Sequence, residues 1–131
     1  MIYLATAALV KLVRREVPSD ALTDWLNDRM DLPLVSSALA EIELPRALRR
    51  TEPALLAAVP AVLSRLAVYE IDEQVRATAA AYADPLIRPL DAIHLATAHA
   101  VLADDLTAFV TYDRRLLASA ETLGLPTACP V

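Results

Sequence analysis

The sequence predicts an α/β fold in which five short strands form a parallel sheet with helices on both faces. Three observations carry this reading. Short apolar runs alternate with stretches of helical periodicity along the chain. Hydrophobic residues make up 56% of the 131 residues, enough to build a proper core in one domain spanning residues 1–131. No apolar run approaches the roughly 18 residues a membrane span needs. The most apolar stretch, Pro53 to Ser64, is broken by Pro60.

The elements follow in order. Ile2 to Leu4 reads as a buried strand. Ala5-Thr6-Ala7 turns the chain into a helix from Thr6 to about Arg14. Pro18-Ser19-Asp20 punctuates, and Ser19 is read as the cap of a second helix that reaches Asp28 or Arg29. Pro33 to Ser36 is the second strand, and Ser36 or Ser37 is read as the cap of a third helix. Pro45 falls inside that helix. Proline lacks an N–H and clashes with the preceding turn. A kink between Glu41 and Pro45, or a restart with Pro45 in a first turn, is therefore expected. A fourth helix covers Pro53 to Leu66, and Val68 to Ile71 is the third strand. Asp72 caps a fifth helix to Ala83, a loop runs from Asp84 to Pro89, and a sixth helix covers Leu90 to Leu102. Ala108 to Thr111 is the fourth strand. Asp113 starts a seventh helix that ends at Gly124, and Pro126 to Ala128 is the last strand.

Composition removes several classes of function. A single glycine leaves no phosphate-cradling loop, so neither a G-x-G-x-x-G turn nor a P-loop can be written. One cysteine, Cys129, excludes an intramolecular disulfide and a cysteine-based zinc site. No basic region precedes the N-terminal apolar residues, which therefore do not resemble a signal peptide; a cytoplasmic protein without a membrane segment is expected. The net charge of −5 argues against a general nucleic-acid binder. Yet all but one of the 12 basic residues are arginines, several of them paired: Arg14-Arg15, Arg49-Arg50 and Arg114-Arg115. Arginine binds phosphate with a planar fork of donors. Taken singly, each pair reads as a solvated helix face.

Four positions fall at the carboxyl ends of strands or at helix starts just beyond them. They are Ala5, Glu43, Asp91 and Asp113. In an open parallel sheet these ends share one edge, where ligands and chemistry are placed. Carboxylates gathered there repel one another unless a cation intervenes. Hard oxygen ligands suit Mg²⁺ or Mn²⁺. Each acid also has a plain structural use: Asp113 as a helix cap, Asp91 in a first helical turn, and Glu43 as the partner of Arg46 one turn away.

These residues carry a resemblance. Met1-Ile2-Tyr3-Leu4-Ala5-Thr6-Ala7-Ala8-Leu9 is similar to the opening of the PIN-domain ribonuclease toxins of the VapBC type. Glu43-Leu44-Pro45-Arg46-Ala47-Leu48 resembles their second block, and Leu90-Asp91-Ala92-Ile93-His94-Leu95-Ala96-Thr97-Ala98 their third. Phe109-Val110-Thr111-Tyr112-Asp113-Arg114-Arg115-Leu116 resembles the last. The resemblance implies a five-stranded parallel α/β/α sandwich. It also implies a Mg²⁺-dependent endoribonuclease, with Mn²⁺ as an alternative ion, acting on transfer RNA or a ribosomal RNA loop. A cognate VapB-like antitoxin and a homodimer are the partners it implies. Carried over by position, Glu43, Asp91 and Asp113 match the metal-binding acids, with Glu41 a rival to Glu43. Thr6 and Thr111 match hydroxyl positions near the metal.

The chain departs from the family pattern at its first acid. An Asp-Thr-Ser step is expected where it has Ala5-Thr6-Ala7, and alanine cannot ligate a metal. An aspartate exchanged for alanine so that a toxic protein can be produced is one reading. A naturally degenerate scaffold that binds RNA or an antitoxin-like protein without cutting is the other. Lys11, Arg14 and Arg15 are placed beside an RNA groove, and Arg114 and Arg115 beside the phosphates. His94, one turn beyond Asp91, reads as a packed neutral histidine, and His99 as peripheral. Trp25, Tyr3 and Phe109 read as core. A phosphoacceptor receiver domain is a poor rival, because strand one ends in alanine and the only lysine is Lys11.

Overall fold

A computed structural model describes residues 1–131. The five strands are β1 (Ile2–Leu4), β2 (Leu34–Ser37), β3 (Ala67–Tyr69), β4 (Ala108–Val110) and β5 (Thr127–Ala128). They form one sheet of order β3-β2-β1-β4-β5 in which every pairing is parallel. The α-helices are α1 (Thr6–Val13), α2 (Ser19–Asn27), α3 (Ala40–Thr51), α4 (Val59–Leu63), α5 (Glu73–Ala81), α6 (Pro89–Ala96) and α7 (Arg114–Thr122). The expected α/β sandwich is what the chain forms.

β1 is central and buried on both faces, which is why it reads as an unbroken apolar run rather than an alternation. Ile2 and Leu4 point into a core shared with Leu9 of α1, Leu22 of α2 and Leu44 and Leu48 of α3. Tyr3 points the other way, into a core with Leu95, Phe109 and Leu116. The Tyr3 and Phe109 rings stack there at 5.1 Å between centroids.

Three local expectations are corrected. Pro45 neither breaks nor restarts the third helix: α3 begins later than expected, at Ala40, and runs continuously through Pro45. The proline cannot donate to the Glu41 carbonyl, but Glu41 is exposed, so water can serve that oxygen. The serines do not cap. Ser36 donates instead to the Leu4 carbonyl across the sheet at 2.7 Å, and Ser37 accepts from the Leu39 N–H in the turn before α3. Ser19 lies within α2 and ties Glu16 N–H to the Lys11 carbonyl. The fourth and sixth helices are less regular than expected. Residues Pro53–Ala58 form a 3₁₀-helix before α4, where Pro60 removes an N–H from the second position. α6 widens into a π-helix over Thr97–Leu102, at the point where the Thr97 hydroxyl takes the Ile93 carbonyl at 2.8 Å.

The helix starts that matter for the site are as expected. Asp72 accepts from Val75 N–H at 2.9 Å and caps α5. Asp113 accepts from the N–H groups of Arg115 and Leu116 at 2.9 and 3.2 Å and caps α7. Gly124 closes α7 with φ of +78°, which a side chain would resist.

Candidate active site

The carboxyl edge of the sheet collects the candidate residues. Ala5 is the residue after β1, and its N–H bonds the Val110 carbonyl at the end of β4. Thr6 opens α1. Glu43 lies in the first turn of α3, Asp91 in the first turn of α6, and Asp113 at the start of α7. The edge divides into two parts.

Glu43 is held by a chain of hydrogen bonds that runs from the buried core to the partly buried carboxylate. Its Oε1 accepts from the Thr6 hydroxyl at 2.7 Å and lies 2.6 Å from His94 Nε2. The far side of the ring, Nδ1, lies 2.6 Å from the Tyr3 hydroxyl. An ionised carboxylate can only accept, so Nε2 carries the proton aimed at Glu43. In the neutral ring Nδ1 is then bare, and Tyr3 donates into it. Partial burial works against the ionised carboxylate, but the His94 and Thr6 hydrogen bonds outweigh it and hold the Glu43 carboxyl below its usual range. Burial pushes the Tyr3 phenol far up, so it remains a donor. A carboxylate kept ionised in this way suits cation binding better than proton donation. Its Oε2 has no hydrogen-bond partner in the protein.

Asp91 and Asp113 are held by one arginine. Arg88, immediately before α6, donates from Nε to Asp91 Oδ2 at 3.2 Å and from Nη2 to Asp113 Oδ2 at 3.5 Å. Its side chain is 54% exposed. Thr111 is buried at the end of β4, and its hydroxyl accepts from the Asp113 N–H at 3.1 Å.

A cleft of about 620 Å³ opens beside Glu43 and Thr6. Leu39, Ile42, Ala47 and Leu90 form its apolar wall, and Arg46, Arg49 and Arg50 its charged one. Asp91 and Asp113 do not line it. None of the basic residues expected beside the groove or the phosphates lines this cleft. Lys11 is paired with Glu16 and lies 5.2 Å from the centre of the Tyr112 ring. Arg14 also pairs with Glu16, and Arg15 pairs with Asp20. Arg114 is exposed, and Arg115 reaches the Leu86 carbonyl at 3.4 Å.

The donors are chemically right for a hard divalent ion, but their arrangement in this chain does not fit one. No group of three or more His, Cys, Asp or Glu side chains is placed to hold a metal. Ala5 supplies no ligand, and Arg88 is already paired with both Asp91 and Asp113.

A model of the PIN domain matches residues 2–121. Ribonuclease VapC35 of Mycobacterium tuberculosis is 58% identical, over 99% of this chain and 97% of its own. Ribonuclease VapC46 of the same species is 42% identical, over 98% of this chain and 97% of its own. The chain belongs to the PIN-domain family, among the VapC ribonucleases. Its fold is that of solved VapBC structures. VapBC2 from Rickettsia felis, bound to a promoter DNA fragment, superposes with a TM-score of 0.75 at 16% identity, with full coverage of both chains. DNA-bound VapBC from Salmonella typhimurium gives 0.69 at 16% identity, over 98% of this chain and 96% of that one. PIN-domain ribonucleases generally use a divalent metal.

Three participants escaped the sequence reading. His94 was read as packing; it is 2% exposed, as packing requires, but it also bonds the candidate acid. Tyr3 was read as core and supports His94. Arg88 was not singled out. The spacing Arg88, Asp91, His94 was the available signal, since residues three apart share a helix face.

Proposed function

We propose that this protein is an endoribonuclease toxin of a type II toxin–antitoxin system, that its ion is Mg²⁺ with Mn²⁺ as substitute, and that alanine at position 5 leaves it without activity. The observation that carries the reading is end-to-end identity to a ribonuclease, 58%, in a chain with three acids and a hydroxyl at one sheet edge. Glu43, Asp91 and Asp113 are the proposed metal-binding and catalytic acids. Thr6, Thr111, Lys11, Arg114 and Arg115 are proposed to contact the RNA, Thr6 and Thr111 from beside the metal. The proposed RNA is transfer or ribosomal. A VapB-like antitoxin and a second copy of the chain are the proposed protein partners, and the cytoplasm the proposed location. Support for the antitoxin comes from similar solved structures that are VapBC assemblies. No helix is long and apolar enough to cross a membrane.

The residues present do part of the work without an ion. His94 and Thr6 favour the ionised form of Glu43 and both bond its Oε1, in a residue that lines the cleft. The Asp113 carboxylate is fixed by two backbone N–H groups of α7.

Ala5→Asp is the test. The restored protein is expected to cleave RNA with Mg²⁺ or Mn²⁺, whereas the Ala5 chain does not. Its Tm should also rise with added metal, because an ion that binds only the folded state stabilises it, and the Ala5 chain should respond far less. No cleavage of total RNA by the restored protein with either ion would overturn the reading in favour of a non-catalytic scaffold.

A further inference from the structure

We infer that Arg46, Arg49 and Arg50 form a phosphate track that leads a single strand of RNA along α3 to Glu43. The inference rests on the ribonuclease reading and extends it to residues outside the acidic edge. Arg46 follows Glu43 by three residues, and Arg49 and Arg50 follow Arg46 by three and four, so each lies one turn beyond its predecessor on the same side of the helix. That face forms a wall of the 620 Å³ cleft that also contains Thr6. At 1.5 Å per residue, Glu43 and Arg50 are about 10 Å apart along the axis.

The charge on this face is uncommitted. None of the three arginines forms an ion pair or a side-chain hydrogen bond, and all three are exposed. Lys11, Arg14, Arg15 and Arg88, by contrast, each have a carboxylate partner. In a chain of net charge −5, a row of unpaired guanidinium groups beside a candidate catalytic acid is a local reversal of sign. Guanidinium groups hold phosphate oxygens through paired N–H donors, and this contact carries affinity without reading sequence. Ile42, 59% exposed on the same helix, and Leu90, 49% exposed at the start of α6, add apolar surface to the cleft.

The test uses the Ala5 chain, in which binding can be measured apart from cleavage. A short fluorescein-labelled single-stranded RNA of mixed sequence is titrated and followed by anisotropy across a salt series. Replacing all three residues (Arg46→Gln, Arg49→Gln, Arg50→Gln) should lower the slope of log K against log salt by about 2, at roughly 0.7 per phosphate on a single strand. At about 0.15 M salt that corresponds to roughly 40-fold weaker binding. Arg29→Gln with Arg65→Gln, away from the cleft, should leave the slope unchanged. Thermal melting confirms that each variant is folded. Unchanged affinity and slope in the triple variant, with cleavage present in the Ala5→Asp protein, would overturn this inference alone. Unchanged RNA binding with loss of a co-produced antitoxin would assign the track to a protein ligand and overturn it. No RNA binding by the unaltered chain, together with no cleavage by Ala5→Asp, would overturn both readings.

Discussion

Glu43 and the Asp91–Asp113 pair are acids at the same edge of one sheet, yet they are held by different means. Glu43 is reached from within. Tyr3 of the central strand, His94 of α6 and Thr6 of α1 converge on it, and both Tyr3 and His94 are buried. Asp91 and Asp113 are joined from outside, by a half-exposed Arg88 that spans both, with Asp113 also capping its own helix. Burial makes the first arrangement stiff and costly to disturb. Solvent makes the second cheap to rearrange. A hydrogen bond lost in the core leaves its partner stranded, whereas an exposed ion pair loses a partner that water replaces. Half of this edge is therefore preset by the core, and half is adjustable.

The largest expected effect comes from the buried half. His94→Ala would strand the Tyr3 hydroxyl, remove a donor from Glu43 and leave a cavity. A loss of about 2–4 kcal/mol is expected, seen as a fall of roughly 10 °C in Tm. A fall no greater than that of an exposed substitution would mean that the relay contributes nothing to stability. Tyr3→Phe is the gentler version. It keeps the ring stacked on Phe109 and removes only the donor to Nδ1, so about 1–2 kcal/mol is expected.

How the two halves read from the sequence follows from the same difference. β1 and β4 were legible because strands buried on both faces are written as apolar runs. Asp72 and Asp113 were legible as caps because a cap bonds its own neighbours in the chain. Thr6 was expected near the acids only from the family resemblance, and its hydroxyl meets Glu43. The relay was not legible in this way. His94 meets Glu43 across 51 residues and Tyr3 across 91, and a sequence does not show which way a buried ring points. Ser36 misled for a related reason: its hydroxyl serves the neighbouring strand rather than the helix that follows. The restart expected at Pro45 does not occur, and the carbonyl that the proline leaves unbonded belongs to the exposed Glu41.

Acid should act on the inner acid next. Glu43 holds its proton less tightly folded than unfolded, so through that window the unfolded chain binds more protons and stability rises with pH. The contribution is present above the ordinary carboxyl range and lost as pH falls through the lowered folded value. Glu16, held low by hydrogen bonding from Lys11 and by Arg14, has the same sign. Melting temperature against pH should therefore drop on the acid side. Glu43→Gln and Glu16→Gln should each flatten part of that drop, and a limb unchanged by Glu43→Gln would show that His94 and Thr6 do not favour its ionised form.

Arg88→Ala should have the smallest effect, and it tests the comparison from the other side. Arg88 is 54% exposed and holds its two partners at 3.2 and 3.5 Å, so its pairs are worth less than about 1 kcal/mol. Asp113 retains its two backbone donors without it, and Asp91 stays in a first turn where a negative charge is favoured. The Tm of the variant should lie within about 3 °C of the parent. What difference there is should shrink further in 1 M salt, where exposed charges are screened within about 3 Å. A loss as large as that of His94→Ala would mean that Arg88 fastens α6 to α7 structurally. The pair would then be as preset as Glu43, and the contrast between an inner, fixed acid and an outer, adjustable pair would fail.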